Sequence, residues 1–209
     1  MKKRADKKHF SFKGEYLKTF SFLRDSRDFI YAAILGFFIF AALGFFFSDL
    51  IQEIFLSFGV NINEKILYLI EKLISQTEGM SHGELIGFIF FNNLQSSFLG
   101  LFLGIGVGFF SVATGIINGY ILGFVILRSV RVEGVLVLWR LLPHGIFELP
   151  ALFISLGLGL RLGTFIFKKN KMEALRKYFF ESVRVFVFVI FPLLLVAAII
   201  EGSLIFLFR

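Results

Sequence analysis

Residues 85–127 read LIGFIFFNNLQSSFLGLFLGIGVGFFSVATGIINGYILGFVIL, 43 residues without a charge. As one helix the stretch would be about 65 Å long, roughly twice the ~30 Å hydrocarbon core of a bilayer. It must fold back, and 106–111, rich in glycine, is the place. Two membrane spans follow, at 85–107 and 110–128. Gly100, Gly104 and Gly108 form one small-residue ridge, and Gly115, Gly119 and Gly123 another. Small residues at every fourth position let helix backbones approach closely, so the two ridges are expected to pack on each other or across a homodimer or larger oligomer.

The rest of the chain agrees with a membrane setting. Of 209 residues 57% are hydrophobic, and 32 are phenylalanine. The expected fold is all-α, a polytopic transmembrane helix bundle, because the alternating polarity of a transmembrane barrel is absent. Further spans are read at 29–47, 143–163 and 185–208, five in all, within a single transmembrane domain covering 29–208. Stretch 128–142 holds Arg128, Arg131, Glu133 and Arg140 around an apolar piece too short to span, which suits a loop or a re-entrant half-helix. Pro192 is expected to kink the last span. With no cysteine, disulfides, thiolate catalysis and cysteine-bound zinc are excluded.

Charge gives direction. Residues 1–28 carry nine Lys/Arg against four acids, and 161–184 carry seven against two, out of 22 Lys/Arg in the chain. These two blocks account for the net charge of +7 without nucleic acid as a partner. Five spans put both blocks on one side, so the amino terminus is expected in the cytoplasm and the carboxyl terminus outside a cell membrane. Within 1–28, Tyr16, Leu17, Phe20 and Leu23 share a helix face, the pattern of an interfacial helix on anionic lipid rather than a signal peptide. The outer segment 48–84 holds six acids and two bases, with apolar residues at helical spacing. Two amphipathic helices are expected there, lying on the membrane, capping the bundle or meeting a partner.

The fourth span opens with PHGIFELPA, residues 143–151. His144 and Glu148 are four apart and share one helix face, about 6 Å apart along the axis. Pro143 suits a first helical turn, while Gly145 and Pro150 weaken the helix around the pair. Ionisable groups at membrane depth are costly and call for a reason. By topology Asn92, Asn93, Asn118, His144, Glu148 and Glu201 all fall in the outer half of the membrane and could surround one cavity. Each has a plain structural reading: the asparagines as interhelical hydrogen-bonding groups, Glu201 as a hydrated carboxylate near the headgroups, and His144 with Glu148 as a pair that fixes the proline-broken helix. The functional reading is an ion, proton or ligand site. His144 and Glu148 are two potential metal ligands without the HExxH arrangement, and His82 would be a third only if the outer segment folded over them. No phosphate-binding loop or nucleophile elbow is present, so no cofactor and no catalytic residue is expected.

Three stretches together, FFNNLQSSFLGLFLGIGVG (90–108), INGYILG (117–123) and LPHGIFELPALFISLGLGLRLG (142–163), resemble the stage II sporulation protein M family of polytopic membrane proteins. The resemblance rests on Asn92 and Asn93, Asn118 and Gly119, and His144, Gly145, Glu148 and Pro150. In spore-forming bacteria it implies a membrane anchor for a cell-wall-degrading complex. The family also occurs outside spore-formers, so the resemblance implies ancestry more than sporulation, and no catalytic residue or ligand. Three functions remain open: a non-enzymatic protein that assembles or anchors envelope or membrane partners, a small transporter or channel using the polar cluster, and an intramembrane metalloenzyme.

Overall fold

The computed structural model describes residues 11–208, and among them every side chain except those of 137 and 139–144. The first ten residues of the expected basic segment, and Arg209, lie outside this range. In chain order the helices are α1 (Phe12–Asp25), α2 (Arg27–Phe46), α3 (Ser48–Ser57), α4 (Ile62–Thr77), α5 (His82–Phe102), α6 (Phe109–Glu133), α7 (Leu138–Gly163), α8 (Lys171–Val185) and α9 (Phe191–Leu207). Five helical stretches are long and apolar enough to cross a membrane: α2, α5 with its following turn, α6, most of α7, and α8 joined to α9. The chain is an all-α membrane protein.

Local chemistry sets the boundaries. The Asn61 side chain accepts the Glu64 N–H at 3.0 Å and starts α4. At the head of α5 the Glu84 carboxylate accepts the Ser81 N–H at 2.8 Å and its hydroxyl at 2.7 Å, occupying donors that a helix start leaves unpaired. The predicted reversal after α5 is a 3₁₀ turn, Leu103–Ile105, closed by Gly106 N–H to Leu103 O and Gly108 N–H to Gly104 O. Gly108 takes φ +76° and Val107 φ +60°, so a β-branched residue occupies the left-handed region inside this turn.

The spans alternate in direction. α1, the α5–α6 turn and α8 gather at one end, here the basic end; α3, α4, the α6–α7 turn and the tip of α9 gather at the other. α7 is central, with 56% of its apolar window buried against 17–33% in the other four spans. Leu156, Leu158 and Leu162 of α7 are fully buried, and the cores on its two flanks are built on Phe37 with Phe153 and on Leu101 with Leu194.

The glycine ridges are used, but not on each other. A Cβ on Gly119 would strike the Phe37 carbonyl oxygen, one on Gly123 that of Ala41, and one on Gly44 that of Tyr120, so the α6 ridge seats α2. The α5 ridge meets α7 instead: a Cβ on Gly104 would collide with the Gly159 backbone, and one on Gly163 with Gly108 N. Gly100 and Gly115 both contact Leu156 of α7. The reason is a third small-residue ridge, Ser155, Gly159 and Gly163, which brings α7 against α5 at backbone distance. Ser111 Oγ adds a buried bond to Gly100 O at 2.7 Å. All these contacts lie inside one chain, so the ridges are no argument for a second copy.

Three other local expectations change. Stretch 128–142 is neither a separate half-helix nor a long loop: α6 continues to Glu133, Gly134 turns the chain at φ +81°, and α7 begins at Leu138. Pro143 therefore lies in the sixth position of α7 rather than its first turn, and the helix continues through Gly145 and Pro150. The 161–184 block, which links the fourth and fifth spans in the reading by charge, contains α8, which joins α9 through a π-helical turn, Phe186–Ile190, into one rod of 37 residues. In that turn Phe191 N–H bonds Phe186 O, five residues back, which opens the helix just before the Pro192 ring must fit.

Candidate functional site

α5 carries Asn92 and Asn93 ten residues from its start, α7 carries Glu148 at a similar depth, and α9 carries Glu201 two turns from its end. These three helices pack side by side. Asn92, Asn93, Glu148 and Glu201 line one cavity of about 280 Å³, at the end of the bundle where α3 and α4 lie. α4 closes it, contributing Ile70, Leu73, Ile74 and Thr77, and α5 and α9 add Leu85, Phe88, Ile89 and Ile205. Four of the six polar residues singled out in the sequence thus meet. Asn118 does not line this cavity; its amide bonds Thr114 O at 2.8 Å in the preceding turn of α6. The His144 side chain lies outside the described residues, although its backbone is part of α7.

The four groups differ in their engagement. Glu148 already interacts with another group of the chain. Asn92, Asn93 and Glu201 have no side-chain hydrogen bond or ion pair among the described residues. No Lys, Arg or His lines the cavity among them either. His82 sits beside the cavity without lining it: its Nε2 is 3.0 Å from Ser203 Oγ, and its ring stacks on Phe206. It is held there and is not brought to Glu148. Among the described residues, no three His, Asp or Glu side chains converge as a metal ion would require.

α4 is the part of this site whose role was least visible beforehand. Its apolar spacing predicts a helix but not what the helix covers. One flank roofs the polar cavity. The other borders a larger, almost wholly apolar cavity of about 500 Å³, lined by Ile66 and Leu69 of α4, Ile51 and Phe55 of α3, and Phe40, Ile116 and Tyr120 of α2 and α6. α4 packs mainly on α3, through Gln52 Nε2 to Asn61 Oδ1 at 2.9 Å and Asn63 N–H to Gln52 Oε1 at 2.9 Å. The α3–α4 hairpin is thus tied more firmly to itself than to the bundle beneath it. One ion pair, Arg131 with Asp49 at 3.3 Å, joins it to the end of α6.

At the basic end Arg161 has a particular role that its place in a run of basic residues does not reveal. Its guanidinium donates to Phe22 O at 3.1 Å and Ser26 Oγ at 2.6 Å, and it lies over the Phe22 and Tyr178 rings. Arg161 therefore fastens the α1–α2 junction and α8 to the end of α7. Alongside, Arg184 of α8 pairs with Glu15 of α1 at 2.6 Å and with Glu181. Hydrogen bonds from Lys18 and Arg184 hold the Glu15 carboxyl below its ordinary value, against a smaller opposing effect of desolvation.

The family model described as Stage II sporulation protein M matches residues 29–204, from the second residue after Arg27 in α2 to near the end of α9. No curated protein and no solved structure matches the chain.

Proposed function

The chain belongs to the stage II sporulation protein M family, and we propose that it is a non-enzymatic integral membrane protein that holds partner proteins at the cell envelope through the α3–α4 hairpin. The observation that carries this reading is the state of that hairpin. It is acidic, rests on the bundle across two cavities, and leaves Leu50, Ile54, Phe58, Tyr68 and Ile74 at least half exposed. Apolar surface rimmed by charge marks a place where something else packs. The two basic blocks support an orientation with α1 and α8 in the cytoplasm and the hairpin outside. The hairpin suits either a different envelope or membrane protein or a second copy of the chain.

The test is photocrosslinking in intact membranes, with the photoreactive side chain at position 58 or 68 and, for comparison, at Leu35 in the middle of α2. Protein adducts from the hairpin and lipid adducts alone from position 35 are expected. Lipid adducts alone from all three, together with a protein that stays monomeric and purifies with nothing under mild extraction, would overturn the proposal.

The polar cavity favours a second reading, a small transporter. Flux across proteoliposomes that disappears in folded Glu148→Gln would support it; undiminished flux in that variant, or no flux for the wild type, would remove the cavity from any transport path.

A further inference from the structure

The cavity between α4, α5, α7 and α9 combines two chemistries. Glu201 brings a carboxyl group without a partner among the described residues, Asn92 and Asn93 add two carboxamides, and the walls from α4 and α5, such as Leu73 and Phe88, are hydrocarbon. A carboxylate in such surroundings without a cation opposite it carries a desolvation cost that no partner offsets. Glu201 is in that position among the described residues, and Asn92 and Asn93 bring unengaged amides to the same space. Glu148 already interacts with another group of the chain, so it offers no free ligand.

These features select the occupant. An anion would face the Glu201 carboxyl group. A neutral apolar molecule would strand the amides and the carboxylate without partners. A hard metal cation needs about six oxygen ligands in a tight shell. Here the volume of about 280 Å³ equals roughly nine water-sized groups, and most of its wall has no oxygen to offer. A primary ammonium on a short hydrocarbon tail satisfies every wall at once: three N–H donors for Glu201 and the asparagine amide oxygens, and an apolar remainder for α4 and α5.

We infer that this cavity binds a small amphiphilic organic cation, an alkyl- or arylalkylammonium, with Glu201 as its anionic anchor and α4 as the lid over its tail. The inference requires neither partner anchoring nor transport, because it concerns occupancy alone. Since α4 packs mainly on α3, a tail beneath it adds contacts between α4 and the bundle, and binding should fasten the hairpin there.

The experiment is titration of the purified full-length protein in detergent with phenethylammonium, read by calorimetry and by proteolysis of the hairpin at Lys65 and Lys72. The neutral isostere 2-phenylethanol, the anion 3-phenylpropanoate, and sodium, potassium and calcium chlorides serve as the other arms. Saturable binding of the ammonium alone is expected, with slower cleavage at Lys65 and Lys72. Glu201→Gln should weaken it at least tenfold and Asn93→Leu several-fold. Equal binding of the neutral isostere, binding of metal ions alone, no saturable binding at millimolar ammonium, or undiminished affinity in folded Glu201→Gln would overturn the inference. Should Glu201→Gln fail to fold, an azido-substituted phenethylammonium crosslinked to the wild type decides instead. Label on α4, α5 or α9 supports the site, and label confined elsewhere removes it.

Discussion

Gly123 and Gly36 are both helical glycines, yet substitution should move stability in opposite directions. An alanine methyl at 123 would strike the Ala41 carbonyl oxygen, and neither backbone can yield without parting α2 from α6. Gly123→Ala should therefore cost about 1–3 kcal/mol, the usual range for overpacking, seen as a lower melting temperature in detergent. At Gly36 nothing lies within 4 Å of the added methyl. Gly36→Ala should be neutral or stabilise by up to about 1 kcal/mol through helix propensity. Val107 offers the converse case, because it holds φ +60° and is more than half exposed. A left-handed non-glycine residue costs about 1–2 kcal/mol, and glycine loses roughly 0.5–1 kcal/mol more chain entropy on folding. Val107→Gly should then raise stability by about 0.5–1 kcal/mol, and an unchanged or lower melting temperature would show that the turn is not strained. The ridges themselves were legible in the spacing of these glycines, but their partners were not. Spacing shows that a backbone can approach and says nothing of which one does, and α2 supplied carbonyls where no glycine pattern pointed.

Among the elements, α1 and α8 show how a charge pattern can conceal structure. The lysines and arginines of 161–184 serve as a topology signal and invite a loop, but Tyr178, Ser182 and Val185 recur at helical spacing and turn one face of α8 toward the bundle. In α1 the apolar set Tyr16, Leu17 and Phe20 is largely exposed, while Thr19, Phe22 and Ser26 are buried. A membrane-surface helix turns its most apolar face to lipid and a mixed face to protein, the reverse of a soluble one. The buried face depends on Arg161. Arg161→Lys keeps the charge but loses the guanidinium plane that lies over Phe22 and Tyr178 and the Nη1 that donates to both Phe22 O and Ser26 Oγ, and should release α1 at a cost of about 1–3 kcal/mol. Faster tryptic cleavage at Lys18 and Arg24 is the readout. The neighbouring Glu15 adds a pH dependence. Its folded value is lowered from 4.5 by Lys18 and Arg184, so its contribution is complete above the unfolded value and lost as pH falls through the lowered one. Cleavage with an acid-tolerant protease should be flat from pH 7 to 5 and should rise in stronger acid. Glu15→Gln should abolish that rise, and a rise beginning near neutrality would point to a different group.

For the whole molecule, the number and order of spans could be read because hydrocarbon thickness constrains both, and the uncharged run 85–127 is too long for one crossing. The convergence of Asn92, Asn93, Glu148 and Glu201 followed from depth alone, since helices of alternating direction bring residues of equal depth to one level. Asn118 shows the limit of that reasoning: depth ignores which way a helix face turns, and its amide is satisfied in its own helix by Thr114. Direction across the membrane is the remaining global property, and it can be tested with little perturbation because the chain has no cysteine. An odd number of spans puts α1 and the tip of α9 at opposite ends of the bundle, and 16 of 22 Lys/Arg lie in the two segments at the α1 end (nine plus seven). The cost of carrying those charges across a bilayer is expected to keep the α1 end in the cytoplasm. Single cysteines at Lys18, Lys171, Glu71 and Phe206 should divide accordingly. A membrane-impermeant maleimide added to intact cells is expected to label positions 71 and 206 and to spare 18 and 171 until the membrane is opened. Labelling of 18 or 171 in intact cells would reverse the orientation, placing the polar cavity and its α4 roof on the cytoplasmic side and requiring any partner of the hairpin to be sought there.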